Sequence, residues 1–283
     1  MPELPEVETI KRDIEKNLIG KKILDVWTDS PKQVQPNIDG FKKETVGKKF
    51  KDVKRRAKIL IFHLEDGTPI IAHLKLSGRL LYRNQTDKAD AFTRIIIKLG
   101  EGKEIRFADL RRFGWIRLLK DDANLKEFLD EFGIEPFTPD FTLENFKKIV
   151  SSKPTKIKPL IMDQKQVAGV GNIYSDESLW CAKIHPERSA KSLSSDEIKK
   201  LYDCILEALK QGIADRGTSV DQYVDLQGQK GKHEQNLQIF RKNGQPCPRC
   251  GTIIKKIRVG GRGTHLCPNC QKSRGVLDHK FTF

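Results

Sequence analysis

The sequence predicts an α+β protein of several domains, in which a leading helix and an antiparallel β-sandwich precede a helical region and a small C-terminal hairpin. Three observations support this prediction. Short apolar or alternating runs separated by turn residues fill the chain from about residue 22 to 119. The stretch that follows has apolar residues at helical spacing. The last segment, residues 240–283, is too short and too basic to form an ordinary core.

The leading helix is predicted by one apolar stripe near the start of the chain. Its members recur at steps of three and four residues: Val7, Ile10, Ile14 and Leu18. Pro5 suits a first helical position, and the neighbouring glutamates suit a first turn, where the backbone dipole favours negative charge. We therefore expect Pro2 and Glu3 to stand directly ahead of an anchored helix rather than in a frayed terminus.

The sandwich is predicted by strand-like runs with Gly, Asp and Asn turns between them. These runs are ILIFHL at 59–64, PIIAHL at 69–74, RIIIKL at 94–99 and WIRLL at 115–119. The two prolines of GIEPFTPD at 133–140 indicate a linker. The first domain is therefore expected to span residues 1–132.

The second domain, residues 133–239, is expected to be helical. Ser194 and Glu197 have the spacing of a capping box, and Leu193 with Ile198 has that of a hydrophobic staple, so a long helix is predicted to follow.

A Gly-x-Gly-Asn turn in the same domain precedes another predicted helix. Asn172 is expected to cap this helix, whose exposed amides would suit a phosphate, although a plainly capped helix is an equally good interpretation. Lys158 is interpreted either as a second phosphate contact or as a solvated lysine.

The third domain, residues 240–283, contains two Cys-x-x-Cys pairs separated by sixteen residues. This spacing predicts one structural Zn²⁺ ion on four thiolates and argues against two disulfides. The ligands would be Cys247, Cys250, Cys267 and Cys270. Cys181 and Cys204 are expected to be ordinary half-buried residues.

Charge predicts a polyanionic partner. The chain has 53 Lys and Arg against 38 Asp and Glu, and residues 240–283 alone contribute a net +9. Between the cysteine pairs, KKIRVGGRGTH predicts a hairpin whose glycine-rich tip presents Arg262, typical of a nucleic-acid finger rather than a merely solvated face. No apolar run could span a bilayer and no signal peptide is recognisable, so we expect a cytoplasmic, nucleoid-associated protein without a membrane partner.

Two further basic segments lie in the predicted sandwich. KRRAKIL at 54–60 places Lys58 at the entrance of a strand. DLRRFG at 109–114 combines arginines with Phe113, an arrangement that can fill a gap in a duplex. The alternative there is an ion pair of Asp109 with an arginine beside a phenylalanine of the core.

The N-terminus has a chemical interpretation. If Met1 is removed, Pro2 becomes a secondary amine, and α-amino groups titrate near pH ~8, so that a useful fraction is unprotonated. A secondary amine that attacks a sugar C1′ forms a cationic iminium, which acts as an electron sink. Glu3 could then shuttle protons to the base and to the sugar oxygen.

Several long motifs, taken together and in their order along the chain, resemble those of the bacterial formamidopyrimidine-DNA glycosylases, which are 8-oxoguanine repair enzymes. They are MPELPEVET, KRRAK, HLKLSGRL, DLRRFG, IKPLIMDQ, GVGNIYSDESL, DQYVDLQGQKG and CPRCG with GGRGTHLCPNCQ. The resemblance implies a β-sandwich, a helix–two-turn–helix domain, a zinc finger, a monomer acting on damaged double-stranded DNA, and base excision followed by β,δ-elimination.

The resemblance also implies residue roles. Pro2 would be the Schiff-base nucleophile and Glu3 the proton donor and acceptor. Lys58 would assist β-elimination, and Arg262 would assist δ-elimination and hold a phosphate.

The DNA contacts implied by the resemblance are of two kinds. Leu76, Arg111 and Phe113 would fill the gap left by an everted base, whereas Lys158 and Asn172 would contact phosphates.

The resemblance further implies a substrate-binding set formed by Glu6, Thr218 and Ser219. The last two belong to a loop, 217–225, that would fold over the extruded lesion.

The sequence departs from the family pattern at several positions. Leu76 replaces the usual methionine of HLxMSG, and Leu110 replaces the proline of DPRRFG. Ala89 and Ala91 stand where histidines are usual, and Pro154 where lysine is common. Residues 272–283 extend past the usual end of the family.

Three rival functions follow from the same features. A related glycosylase for oxidised pyrimidines is the nearest, although MPELPE rather than MPEGPE favours the purine-lesion branch. A non-catalytic protein that binds damaged DNA is disfavoured because Pro2 and Glu3 are both present. A zinc-ribbon RNA-binding protein would leave the N-terminal residues unexplained.

Overall fold

The computed structural model describes residues 1–273, which form two compact units. The first unit contains Met1–Glu131 and Gly212–Glu234, and the second contains Phe132–Gln211 and the described residues from Gln235 onward. Residues 212–234, which the sequence places with the helical domain, thus fold with the first unit.

The first unit consists of two sheets and three helices, numbered along the chain. The helices are α1 (Leu4–Asn17), α2 (Ile38–Thr45) and α3 (Asp122–Asp130). The strands are β1 (Ile23–Thr28), β2 (Val34–Gln35), β3 (Phe50–Arg56), β4 (Ile59–Leu64), β5 (Pro69–His73), β6 (Gly78–Asn84), β7 (Thr93–Leu99), β8 (Lys103–Asp109) and β9 (Trp115–Leu118). The strand order is β1-β7-β8-β6 in one sheet and β2-β9-β5-β4-β3 in the other. All pairs are antiparallel except β2 with β9.

Both sheets contribute to one core, and α1 packs into it. The predicted apolar stripe of α1 is completely buried, and Ile97 of one sheet and Leu60 of the other belong to the same cluster. Tyr223 and Leu226 complete this cluster, and the Tyr82 amide donates to the Leu226 carbonyl at 2.9 Å. The predicted α+β architecture with a leading helix is confirmed.

The second unit is helical and ends in a hairpin. Its helices are α4 (Leu143–Ser152), α5 (Ile157–Met162), α6 (Asn172–Ala182) and α7 (Ser195–Ala214), of which the last turn of α7 belongs to the first unit. The hairpin pairs β10 (Lys255–Val259) with β11 (Arg262–Leu266). Its turn contains Gly260 and Gly261, both with positive φ, which glycine adopts without strain in a tight two-residue turn.

The predicted start of α7 is confirmed. The Ser194 amide donates to the Glu197 carboxylate at 2.8 Å, and the Glu197 amide donates to the Ser194 hydroxyl at 3.2 Å. Leu193 and Ile198 are both buried. These reciprocal bonds satisfy backbone donors that the first helical turn would otherwise leave without partners.

The predicted cap of α6 is wrong by one residue. Gly171, in an extended conformation, is the N-cap, and Asn172 is the first helical residue. The side chain of Asn172 is engaged elsewhere, because its Oδ1 accepts a hydrogen bond from Lys158 and its Nδ2 donates to the Gly263 carbonyl.

Candidate functional site

Pro2 and Glu3 are buried at the start of α1. Glu3 is the N-cap residue, and its backbone N–H donates to Oε2 of Glu6 at 2.8 Å. Glu3 and Glu6 are 2% and 1% exposed. Pro5 occupies the first turn, where its missing N–H costs nothing. The backbone beside Pro2 is therefore held in one geometry.

The segment 216–225 is bonded to α1. The Thr218 amide donates to Oε1 of Glu6 at 2.8 Å, so that the two oxygens of one carboxylate hold Glu3 and this segment together. Arg216 donates to Asp13 of α1 and to Asp225, at 2.7 Å each. These bonds bring the three predicted substrate-binding residues Glu6, Thr218 and Ser219 into one part of the first unit.

Ser219 closes the same segment on itself. Its hydroxyl donates to the Tyr223 carbonyl and accepts from the Gly231 amide, both at 2.8 Å. Burial and the nearby Glu6 carboxylate raise the pKa of Tyr223 well above its usual value, so the phenol stays neutral. Gly217 passes so close to Glu6 that a Cβ there would lie 3.0 Å from its Cγ.

Lys58 lies at the entrance of β4 and is 4% exposed. It follows Ala57, whose φ of 54° makes the turn from β3. Burial, with the charges of Lys75 and Lys58, lowers the pKa of His73 to about 3. Since Nδ1 of His73 accepts from the Lys75 amide at 2.9 Å, the proton of the neutral ring lies on Nε2.

His73, whose pKa is influenced by the charge of Lys58, is a residue that the sequence interpretation did not single out. It ends the apolar strand PIIAH within a motif that was used only for its leucine. The available sequence signal was a histidine at the end of an otherwise apolar strand, in a domain that also contains the basic segment 54–58.

Arg111 and Phe113 lie on a surface turn. Phe113 is 52% exposed, and the Arg111 guanidinium lies 4.8 Å from the centre of its ring. The alternative interpretation, in which this phenylalanine belongs to the core, is therefore wrong. Both side chains are accessible to a ligand.

Asp109 connects this turn to the one that carries Leu76. Its completely buried carboxylate accepts from the Arg111 amide at 3.1 Å, from the Gly114 amide at 2.7 Å and from the Ser77 hydroxyl at 2.5 Å. Leu76, which is partly buried, directly precedes Ser77. One carboxylate thus brings together the turns that carry the three predicted gap-filling residues.

Lys158 is neither solvated nor at the surface. Its side chain is completely buried, and Nζ donates to Asp176 at 2.6 Å, Asn172 at 2.7 Å and Thr264 at 2.8 Å. Asn172 is partly exposed and Arg262 is exposed at the start of β11. These three residues belong to the second unit, whereas the other predicted catalytic and DNA-contacting residues belong to the first.

The four predicted metal ligands form one cluster. All four sulfur atoms lie within 4.8 Å of one another, with Cys250 3.5 Å from both Cys267 and Cys270. Four thiolates on a tetrahedral Zn²⁺ ion lie about 3.8 Å apart, since each Zn–S bond is about 2.3 Å. The donor set therefore fits a closed structural zinc site.

Cys181 and Cys204 form a disulfide, contrary to the expectation of separate thiols. Their Cα atoms are 5.9 Å apart, and the bond links α6 to α7 within the second unit. The two residues lie 23 positions apart and share no motif, so the sequence contains no sign of the pairing. Within residues 1–273, no helix is both long and apolar enough to cross a membrane.

Three family models match the chain in order. They are the formamidopyrimidine-DNA glycosylase N-terminal domain at residues 1–116, the H2TH domain of the same enzymes at 132–223, and a zinc finger found in Fpg and IleRS at 244–272. With the four-cysteine cluster, the last match assigns one structural zinc ion to the chain.

Relatives match the chain along nearly its whole length. The formamidopyrimidine-DNA glycosylase of Pelotomaculum thermopropionicum is 43% identical, over 96% of this chain and 99% of its own length. That of Desulforamulus reducens is 42% identical, over 97% of this chain and 100% of its own.

Solved structures match equally well. Lactococcus lactis Fpg in complex with DNA containing an abasic site has a TM-score of 0.91 and 39% identity, covering 95% of this chain and 99% of that one. The same enzyme with DNA containing N7-benzyl-Fapy-dG has a TM-score of 0.91 and 39% identity, over 96% and 100%.

Proposed function

The chain belongs to the formamidopyrimidine-DNA glycosylase family, and we propose from this premise that it excises oxidised purines from double-stranded DNA and then cleaves the strand. The lesions would be 8-oxoguanine and formamidopyrimidines, and the enzyme would act as a monomer. The observation that supports this best is the buried N-terminal cluster, in which Glu6 holds both Glu3 and the segment 216–225. Such a cluster fixes a nucleophile and a proton carrier beside a segment able to cover a base.

Base excision would begin at the Pro2 nitrogen. After removal of Met1, this amine attacks C1′ of the lesion nucleotide, the C1′–N bond to the base breaks, and the departing base takes a proton. The nitrogen then loses its own proton, and the C1′–O4′ bond of the sugar ring breaks as O4′ takes up a proton, which leaves a cationic iminium at C1′. Glu3 would supply and accept these protons, since it adjoins Pro2 in the chain.

Strand cleavage would follow from the same iminium. Loss of a C2′ proton expels the 3′ phosphate, and a second elimination expels the 5′ phosphate, after which water releases Pro2. Lys58 would assist the first elimination and Arg262 the second, while stabilising the departing phosphates by positive charge.

DNA binding would use both units. Leu76, Arg111 and Phe113 would occupy the space of the extruded base, and extrusion is required because the reacting atoms are inaccessible in a stacked duplex. Asn172 and Arg262 would contact phosphates. Zn²⁺ would fold the hairpin and take no part in the chemistry.

Borohydride trapping on a duplex that contains 8-oxoguanine tests this proposal. We expect reduction of the iminium to cross-link residue 2 to DNA, which peptide mass mapping would locate. Pro5→Ala is the matched control, because it changes a proline of the same segment that has no free amine, and it should still cross-link.

Two results would contradict the assignment. One is Met1 retained in active protein, and the other is a cross-link at a lysine. More efficient trapping on an oxidised-pyrimidine duplex would indicate the related pyrimidine-lesion activity. Binding without any cross-link would indicate a non-catalytic protein.

A further inference from the structure

The second unit contains a buried ion pair that the proposed reaction does not use. Lys158 of α5 and Asp176 of α6 are 2.6 Å apart, and neither side chain is exposed to solvent. Removing two charges from water is costly, and a buried pair is retained only where other hydrogen bonds satisfy both groups. The partners of this pair therefore indicate its role.

The ammonium group of Lys158 has no donor left for a ligand. Lysine has three N–H donors, and three oxygen atoms lie at 2.6 to 2.8 Å from Nζ. They belong to Asp176, Asn172 and Thr264. The Gly263 carbonyl lies 3.4 Å away as well. A DNA phosphate could reach this group only if the network first came apart.

The ammonium group also sets the orientation of the Asn172 amide. Because Lys158 cannot accept a hydrogen bond, Oδ1 of Asn172 must face it, and Nδ2 must face the Gly263 carbonyl, 3.1 Å away. The amide has two N–H donors, and within residues 1–273 only one of them has an acceptor. The second is available to a phosphate oxygen.

The other oxygen of Asp176 holds the finger. Oδ2 accepts from the His265 amide at 2.9 Å and lies 3.0 Å from its ring Nδ1. Three successive residues of β11, Gly263 to His265, are thus bonded to side chains of α5 and α6. Arg262 is the next residue towards the hairpin tip, so its backbone is held by the same network.

We propose that Lys158 is a positioning residue, which orients the Asn172 amide and the base of the Arg262 hairpin for phosphate binding and does not itself contact DNA. This inference rests on the proposed function. It replaces the direct phosphate contact that the sequence suggested for Lys158. Asp176 and Lys158 act as one unit in it, because each satisfies the other's charge.

Salt-dependent binding to an undamaged duplex tests the proposal with zinc-loaded full-length variants. The variants are Lys158→Met, Arg262→Ala and their combination. Arg262→Ala should weaken binding roughly tenfold, as expected for loss of one charged hydrogen bond, and should lower the salt slope of log K by about 1. Lys158→Met should weaken binding through Arg262 and Asn172, so its effect in the Arg262→Ala background should shrink to that of Asn172 alone. Independent effects at separated residues would instead multiply.

A second pair of variants separates positioning from folding. Lys158→Met alone removes the cation that faces the buried Asp176 carboxylate, which destabilises the fold, whereas Lys158→Met with Asp176→Asn replaces both members of the ion pair and keeps an acceptor oxygen for the His265 amide. We expect the double variant to unfold near the wild-type temperature and still to bind DNA less tightly than the wild type. Its effect on binding should again be smaller in the Arg262→Ala background than in the wild-type background. Wild-type binding by this double variant would overturn the proposal, because it would show a merely structural pair.

Lysine acylation followed by mass mapping gives an independent result. Lys158 should be unreactive with and without DNA, whereas exposed Lys165 serves as the reactive control. Acylation of Lys158 in the free protein, together with its protection by DNA, would overturn the proposal. A further decrease of about 1 in the salt slope of log K when Lys158→Met is added to Arg262→Ala would overturn it as well. These readouts need neither a lesion nor Pro2, so failure of borohydride trapping would refute the proposed chemistry and leave them interpretable.

Discussion

At the scale of single residues, Leu76 shows how a departure from the family pattern can be accommodated. Its branched side chain extends one bond less far from the backbone than that of the usual methionine. The hydrogen bond between Ser77 and Asp109 nevertheless holds its turn in place. A turn that is held in place presents the Leu76 side chain in a defined position. Leucine can therefore still act as a wedge.

Leu76→Ala should slow excision of a paired lesion about tenfold, because base extrusion costs a few kcal/mol that the wedge helps to offset. Cleavage of a preformed abasic site should change by less than about twofold, since no base has to leave the stack. Single-turnover assays on both substrates measure this difference. Leu24→Ala, at an exposed leucine of β1, is the control. Equal losses on both substrates would make Leu76 a packing residue only.

His73 should make the protein sensitive to acid. Its pKa is about 3 in the folded chain, against an ordinary value near 6.5, so below pH ~6.5 the unfolded chain binds a proton that the folded chain refuses. The free energy of unfolding should therefore fall by up to ~1.4 kcal/mol per pH unit between pH ~6.5 and 3 through this group.

His73→Asn should reduce that slope, because asparagine has an acceptor for the Lys75 amide and does not titrate. Urea unfolding at several pH values measures it. The control is His63→Asn, which replaces a histidine of the neighbouring strand β4. An acid slope that His73→Asn leaves unchanged would contradict the expectation.

At the scale of elements, α1 and the segment 216–225 are coupled through Glu6. In Glu6→Gln the amide keeps one acceptor oxygen, so the backbone N–H of either Glu3 or Thr218 loses its hydrogen bond to residue 6, at a cost of about 1–3 kcal/mol. We expect faster hydrogen exchange at the Thr218 amide and slower excision. Exposed Glu15→Gln, on the same helix, should change neither. Unaltered exchange at Thr218 would show that the coupling is not needed to hold the segment.

The hairpin of β10 and β11 depends on its metal. Its own buried apolar cluster is small, with Ile239 and Ile254 beside two of the cysteines, so bound zinc must supply most of its folding free energy, on the order of 10 kcal/mol. Metal analysis should give one zinc per chain. Chelation should abolish DNA binding and expose the amides of residues 244–272 to exchange, while the first unit stays folded. Active protein without zinc would contradict this.

Strands with nearly continuous apolar runs could be predicted, whereas β8 could not. β4, β5 and β7 are nearly continuous apolar runs, whereas β8 contains Glu104 and Arg106, which are buried and bonded to each other. A buried ion pair has the same local sequence as an exposed one. Strands of this kind are visible only once their partners are known.

At the scale of the whole molecule, the sequence predicted the candidate chemical groups better than the long-range contacts between residues. The cysteine pairs, the hairpin and the N-terminal proline are local motifs. The burial of Lys158 depends on Thr264, 106 residues away, and Glu6 meets Thr218 across 212 residues. Such distant pairings leave no periodic trace, which is why Lys158 was interpreted as a phosphate contact and the Cys181–Cys204 bond was not expected.

The discontinuity of the first unit has a consequence for biosynthesis. Tyr223 and Leu226 belong to its core, yet the ribosome makes Tyr223 105 residues after Leu118, where the last strand of the sandwich ends. At roughly 5 to 20 residues per second, the nascent sandwich waits on the order of 5 to 20 s with part of its apolar interior uncovered. Most of the helical part of the second unit is translated in that interval, and its remaining segment, from Gln235 onward, is translated only after the first unit is complete. Premature termination near residue 131 would release a fragment with an open core, a natural substrate for chaperones and proteases.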